Sequence, residues 1–198
     1  MKISYGITVC NEARELQHLI EFIHPLKDIE DEIVVVYDDN RVTGEVLDVL
    51  EHHHEKVRAF PFDFQQNFLE NIFQIDADEI PSATLVKSLK SILEHNLVDV
   101  LIVPRANVVK GLTQEHINKW RWQVNDKGHV NWPDQQKRIY KNITQIKWSG
   151  HKVHGMVEGY NTFAVLPLDE EYCIYHNKEI TRQEEQNERY DKIENNQL

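Results

Sequence analysis

"NIFQIDADEIPSATLVKSLKSILEHN", residues 71–96, is the stretch that decides the fold. Asn71–Asp76 is a short apolar run and reads as a strand. It stops at three carboxylates within four positions, Asp76, Asp78 and Glu79. After Pro81, Ser82 has the chemistry of a helix N-cap. Leu85, Leu89, Ile92 and Leu93 then recur on one face, predicting an amphipathic helix over 83–96. Strand, acidic corner and helix lead into "VDVLIVPR" (98–105), which reads as the next strand.

The same alternation runs upstream. "KISYGITV" (2–9) is apolar and β-branched, and Asn11 is placed to cap a helix carrying Leu16, Leu19, Ile20 and Ile23. "EIVVVYD" (32–38) is a continuous apolar run, as expected of a strand covered on both faces. "TGEVLDVLEHH" (43–53) is helical and "KVRAFPF" (56–62) is a short strand; "NFLE" (67–70) suits a helical turn. The pattern predicts one α/β domain, a Rossmann-like, mainly parallel sheet with helices on both faces. Downstream the character changes. Short strands are expected at "RIYK", "IKWSG", "KVHGMVEG" and "TFAVLPL", then a charged terminal helix from "KEITRQEEQNERYDKI" that packs on the domain or forms an oligomer contact. No linker separates the halves, 1–105 and 106–198, so both belong to a single domain of 1–198.

Composition narrows the function. The formal net charge of −11 argues against nucleic-acid binding, which needs a basic surface. It does not oppose a negatively charged small substrate held through a divalent cation. No apolar run reaches the roughly 18 residues of a transmembrane segment. The N-terminus lacks a signal-peptide pattern, so a cytoplasmic location is expected. Cys10 and Cys173 then read as reduced core residues.

Open parallel sheets bind ligands beyond the carboxyl ends of their strands. Two acidic clusters are expected there: Asp38-Asp39 after the second strand, and Asp76 to Glu79. In a continuing strand Asp76 and Asp78 share a face. Two such carboxylates repel unless a cation sits between them or one is protonated. Oxygen ligands of this kind suit Mg²⁺ or Mn²⁺, which keep positions open for water and phosphate. The plain alternative is that Asp76 and Asp78 are loop acids and that Asp38-Asp39-Asn40 closes a strand as an Asx turn.

"ITVCNEARELQHLI", "EIVVVYDDN", "FQIDADEIPS", "WPDQQKRIYKN" and "IKWSGHKVHGMVEG", in that order between residues 3 and 166, resemble the family-2 nucleotide-sugar glycosyltransferases, and more narrowly the small bacterial and phage sugar transferases. The resemblance implies the glycosyltransferase A fold, a nucleotide-diphosphate sugar donor (a UDP-sugar foremost), a carbohydrate or lipid-linked acceptor, inversion, and Mn²⁺ or Mg²⁺ as cofactor. It implies that Thr8, Asn11 and Glu12 border the nucleotide and that Asp38 or Asp39 meets the base. Asp76 would face ribose and sugar, and Asp78 the metal. Asp134 is the candidate general base, with Glu115 and Glu158 behind it. Trp132 is a candidate sugar platform and Arg138 a candidate phosphate contact. His154 and His176 are candidate metal ligands. The chain departs from the family in four places. Asn40-Arg41 stands where Gly-Ser is usual, Gln66 where Arg is common, and Gly155 in place of a Glu; the interval 40–75 is short.

Three other readings remain open. A nucleotidyltransferase usually carries a Gly-rich basic loop after its first strand, which "VCNEARE" lacks. A D-x-D phosphatase places that motif on its first strand. A non-catalytic nucleotide- or sugar-binding relative differs in lacking turnover.

Overall fold

The computed structural model describes residues 1–61, 69–149 and 155–194, the last without the side chains of residues 189, 191, 193 and 194. His154 and the Gln65–Phe68 segment lie outside the described residues. The apolar runs form the expected core strands: β1 (Ile3–Val9), β2 (Glu32–Tyr37), β3 (Arg58–Pro61), β4 (Asn71–Asp76) and β6 (Val100–Lys110). Helices α1 (Ala13–Ile23), α2 (Gly44–His52) and α3 (Ala83–His95) lie between them. Ser82 caps α3, its hydroxyl accepting from Leu85 N at 3.1 Å. Asn11 does not cap α1; Glu12 holds that position and its carboxylate accepts from the backbone N–H groups of Cys10 and Asn11.

With β5 (Glu79–Pro81), β7 (Val130–Lys141), β10 (Phe163–Val165) and β11 (Ile174–Glu179), one mixed sheet crosses both halves of the chain in the order β3-β2-β1-β4-β7-β6-β11-β5, with β10 beside the start of β6. β1 pairs parallel with β2 and β4, β2 with β3, and β6 with β10 and β11. β7 runs antiparallel to β4 and β6. The face carrying Ile3, Tyr5, Ile7, Phe73 and Ile75 is buried by the apolar stripes of α1, α2 and α3. On the other face Val34, Val36, Ile72 and Tyr140 pack with Ile143, Ile146, Val157 and Tyr160. Among the described residues no helix is long and apolar enough to cross a membrane.

The second half departs from the sequence reading. "RIYK" is the end of a longer strand, β7 (Val130–Lys141), which includes Trp132 and Asp134. Polar residues alternate along it because that part rises past the end of β4, where one face meets a cleft. A short helix, α4 (Gln114–Trp120), precedes it. Two strands were not apparent: β5 (Glu79–Pro81) and β11 (Ile174–Glu179), which pair antiparallel. The last helix, α5 (Ile180–Glu194), starts later than its charge pattern suggests, so His176 lies on β11 and not at the helix start. Strands β8 (Lys147–Trp148) and β9 (Val157–Glu158) form a separate pair.

Candidate active site

The carboxyl ends of β1, β2, β4, β6 and β11 and the amino end of β7 surround a cleft of about 1110 Å³, partly roofed by α5. Register places Thr8 beside Asp76, and the Thr8 hydroxyl donates to Asp76 Oδ1 at 2.8 Å. The chain turns directly after Asp76. Ala77 N–H donates to Thr8 O and Asp76 N–H to Glu79 Oε2. Asp76 and Asp78 therefore do not share a strand face, and each meets different partners.

The repulsion expected among these carboxylates is relieved by arginines from distant strands. Arg138 donates through Nη2 to Asp76 Oδ2 at 2.7 Å and to Glu79 Oε1 at 2.6 Å. Arg105 donates to the same Glu79 oxygen at 2.9 Å. Glu79 is fully buried, and a buried carboxylate needs such partners. Burial pushes the Asp76 carboxyl up, but the Arg138 guanidinium and Thr8 hydroxyl outweigh it and hold it below the usual range. The Asp76 side chain still keeps 40% of its surface exposed, enough to meet a ligand from the cleft.

Asp78 faces the last strand and helix. Its Oδ2 lies 3.4 Å from His176 Nε2 and 3.8 Å from Arg182 Nη2. Burial raises its carboxyl, but His176, Lys178 and Arg182 bring it down to about 2. Lys178 shares the His176 face of β11, borders the cleft, and donates to Gln186 of α5. Burial lowers the Lys178 ammonium. Arg182 also pairs with Glu12, tying α5 to the β1–α1 loop. These cations offset the carboxylates locally, in a protein whose net charge is −11.

Two residues here could hold a divalent cation. Asp78 would supply one carboxylate oxygen and His176 one imidazole nitrogen, 3.4 Å apart. Among the described residues no group of three or more His, Cys, Asp or Glu converges as a closed shell. An ion held here would keep several positions for water and phosphate, as Mg²⁺ and Mn²⁺ do.

Of the sequence candidates, Thr8, Asn11, Glu12, Asp38, Asp76, Asp78, Arg138 and His176 border the one cleft. Asp38 Oδ1 accepts from Asn40 N–H at 3.0 Å, so this acid forms an Asx turn while bordering the cleft. Asp39 does not line it. Trp132 lines a smaller cavity of about 310 Å³, against His129; Trp122 and Trp148 border the cleft instead. Asp134 does not line the cleft either. Its carboxylate accepts from Arg105 Nε and Nη2, Asn107 Nδ2 and Gln136 Nε2 at 2.6–2.9 Å. Burial raises its carboxyl, and these donors hold it below the usual range. The sequence reading missed Arg105, Asn107, Lys178 and Arg182 as site residues, and placed Glu79 in the acidic cluster without a role of its own. The signals were a charged residue ending the apolar run "VLIVPR" and the alternation of His176 with Lys178.

Neither protein families nor characterised proteins compared by sequence give a match. Solved structures do. S. aureus TarS, residues 1–349, superposes with a TM-score of 0.59 at 16% identity, over 89% of this chain and 60% of that one. The same TarS fragment in complex with UDP-GlcNAc gives 0.57 at 17% identity, over 90% and 59%. Its complex with UDP gives 0.58 at 16% identity, over 89% and 60%. The chain thus spans about 60% of the length of these structures. At this identity the likeness shows the fold alone, a mainly parallel central sheet flanked by helices.

Proposed function

We propose that the protein is an inverting, family-2-type glycosyltransferase that moves a sugar from a nucleotide-diphosphate sugar, a UDP-sugar foremost, to a carbohydrate or lipid-linked acceptor. A cytoplasmic location and one functional domain over 1–198 belong to the same reading. The observation that carries it is the meeting of Asp78 and His176, 98 positions apart in sequence, at 3.4 Å within a strand-end cleft. TarS, which shares the fold, was crystallised with UDP-GlcNAc and with UDP, which supports a nucleotide-sugar donor.

Asp38 and Asn11 border the end of the cleft suited to the base. Asp76, held charged by Arg138, accepts hydroxyl hydrogen bonds from ribose or sugar. Asp78 and His176 would hold Mn²⁺ or Mg²⁺, which when bound neutralises diphosphate charge. Lys178 and Arg182 face the same diphosphate and stabilise it as it departs. The acceptor oxygen forms its bond to the anomeric carbon opposite the diphosphate. The sugar–phosphate bond breaks, its electron pair stays on the phosphate oxygen, and the hydroxyl proton passes to a base. Asp134 is the sequence candidate for that base. Three of its four donors crowd Oδ2 and it does not line the cleft, which favours a bracing role, because a base must lie within reach of the acceptor. The same fact favours, as a second reading, a nucleotide-sugar binder without turnover.

Calorimetric titration with a panel of UDP- and GDP-sugars, in Mn²⁺ and in EDTA, tests the proposal. Metal-dependent binding of at least one donor is expected. Equal affinity in EDTA removes the cation from the reading, and no binding of any donor overturns the function. Release of nucleoside diphosphate on adding acceptor separates the enzyme from the binder.

A further inference from the structure

Asn107 lies on β6 between β7 and β11, and His176 is its direct register partner. Its amide has one orientation open to it. Nδ2 donates to Asp134 Oδ2 at 2.9 Å and faces the carbonyl oxygen of Val130 at 3.5 Å. Both neighbours only accept, since Arg105 keeps the Asp134 carboxylate ionised. Asn107 Oδ1 is therefore turned toward His176 Nδ1, at 2.9 Å. A carbonyl oxygen cannot donate, so Nδ1 carries the ring proton. In the neutral imidazole, Nε2 is then a bare lone pair. It faces Asp78 Oδ2 at 3.4 Å, acceptor against acceptor. Such a pair is relieved by a cation, either a proton on Nε2 or a metal ion between the two atoms.

We propose that Asp134, acting through Asn107, is a positioning residue that locks His176 in the Nδ1–H tautomer, so that His176 Nε2 and Asp78 form a preset ligand pair for a divalent cation. The purpose of the relay rests on the metal-assisted function proposed above. The tautomer does not, because it follows from hydrogen-bond polarity alone. Metal-binding histidines commonly donate their second ring N–H to an oxygen acceptor, which fixes ring orientation. Here that acceptor is a side-chain amide, and its polarity is in turn set by a carboxylate. Arg105 joins the relay to the buried acids, since it bridges Asp134 and Glu79.

The test is long-range ¹H–¹⁵N NMR of the metal-free full chain with labelled histidine, at alkaline pH where the ring is neutral. The His176 signals are assigned by their loss in His176→Gln. Wild type is expected as the Nδ1–H tautomer. Asn107→Leu removes the acceptor, and the ring should shift to Nε2–H or a mixture. Asp134→Asn, nearly isosteric, guards against a folding failure. Its amide no longer dictates the Asn107 orientation, so a tautomer mixture is expected there too. Titration with Mn²⁺ alone, followed by the loss of the free-ion EPR signal, should show affinity reduced about 10–100-fold in both variants. An Nε2–H ring in wild type, or a tautomer unmoved by both substitutions, overturns the proposal. So does unchanged Mn²⁺ affinity in variants whose tautomer has moved. Failure of wild type to bind Mn²⁺, with the tautomer as expected, brings down the metal-assisted function together with the purpose of the relay.

Discussion

The two sides of the cleft are built from different halves of the chain and differ in charge, acids predominating on one and cations on the other, with Arg41 and Glu185 as exceptions. β1, β2 and β4 bring Glu12, Asp38, Asp76 and Asp78 to their carboxyl ends. β7, β11 and α5 bring Arg138, His176, Lys178 and Arg182, all from residues beyond 105. The acids follow continuous apolar strands and announce themselves. Except for Arg182 on α5, the cations sit on strands that are apolar at one end and polar at the other. The difference teaches that an acidic cluster at a strand end need not wait for a metal. Arg138 already neutralises Asp76, and among the described residues Asp78 and His176 are left in the geometry of a ligand pair.

The sharpest way to break this comparison is to remove the cation that joins the halves. Arg138→Met leaves Glu79, fully buried, and Asp76 short of a shared partner. Breaking a buried pair from one side typically costs about 3–5 kcal/mol. A urea midpoint should fall accordingly. A loss under about 1 kcal/mol would show that Arg105 alone satisfies Glu79.

Asp134→Asn separates bracing from base catalysis. A base acts in the transition state, so its loss would lower turnover about 10²–10⁴-fold with donor affinity kept. A brace would weaken Mn²⁺ and donor binding together. The second pattern is expected, and Glu158→Gln and Glu115→Gln serve as controls.

Asp78 gives a pH signature. Its carboxyl is held at about 2 against an ordinary 3.8. A depressed folded value contributes stability that is present above the unfolded value and lost as pH falls through the folded one. The shift corresponds to roughly 2 kcal/mol. Metal-free wild type should lose that stability between about pH 4 and pH 2, and Asp78→Asn should show a flatter acid limb by denaturant titration.

Two neighbouring acids test the base end of the cleft. Asp38 borders it and Asp39 does not. Asp38→Ala should weaken uridine nucleotide binding by about 1.5–3 kcal/mol, the worth of a hydrogen bond to a charged group. Asp39→Ala should change it by under about 0.5 kcal/mol. Equal losses would show that both acids reach the base.

Local pattern determined much of this protein. The apolar runs Ile3–Val9, Glu32–Tyr37 and Asn71–Asp76 could only be buried strands, and the stripe of Leu85, Leu89 and Leu93 could only pack a helix on them. From parallel strands followed the cleft at their carboxyl ends, with Asp38, Asp76 and Asp78 at its border, while Thr8 and Glu12 were expected there from the family resemblance. Pairing was decided only in three dimensions. Arg138 meets Asp76 across 62 residues, and Arg182 meets Glu12 across 170. Nothing local marks such partners, because charge attracts without regard to sequence separation and the sheet order sets who is near. The strand holding His176 is itself polar at one end, since it faces the cleft there, and so it carried no hydrophobic period. Tertiary structure alone set Trp132 against a smaller cavity, tied Asp134 to Arg105, Asn107 and Gln136, and put Trp122, Lys178 and Arg182 along the cleft. The face a strand residue presents depends on register, and β7 takes its register from β6 and β4, not from its own sequence.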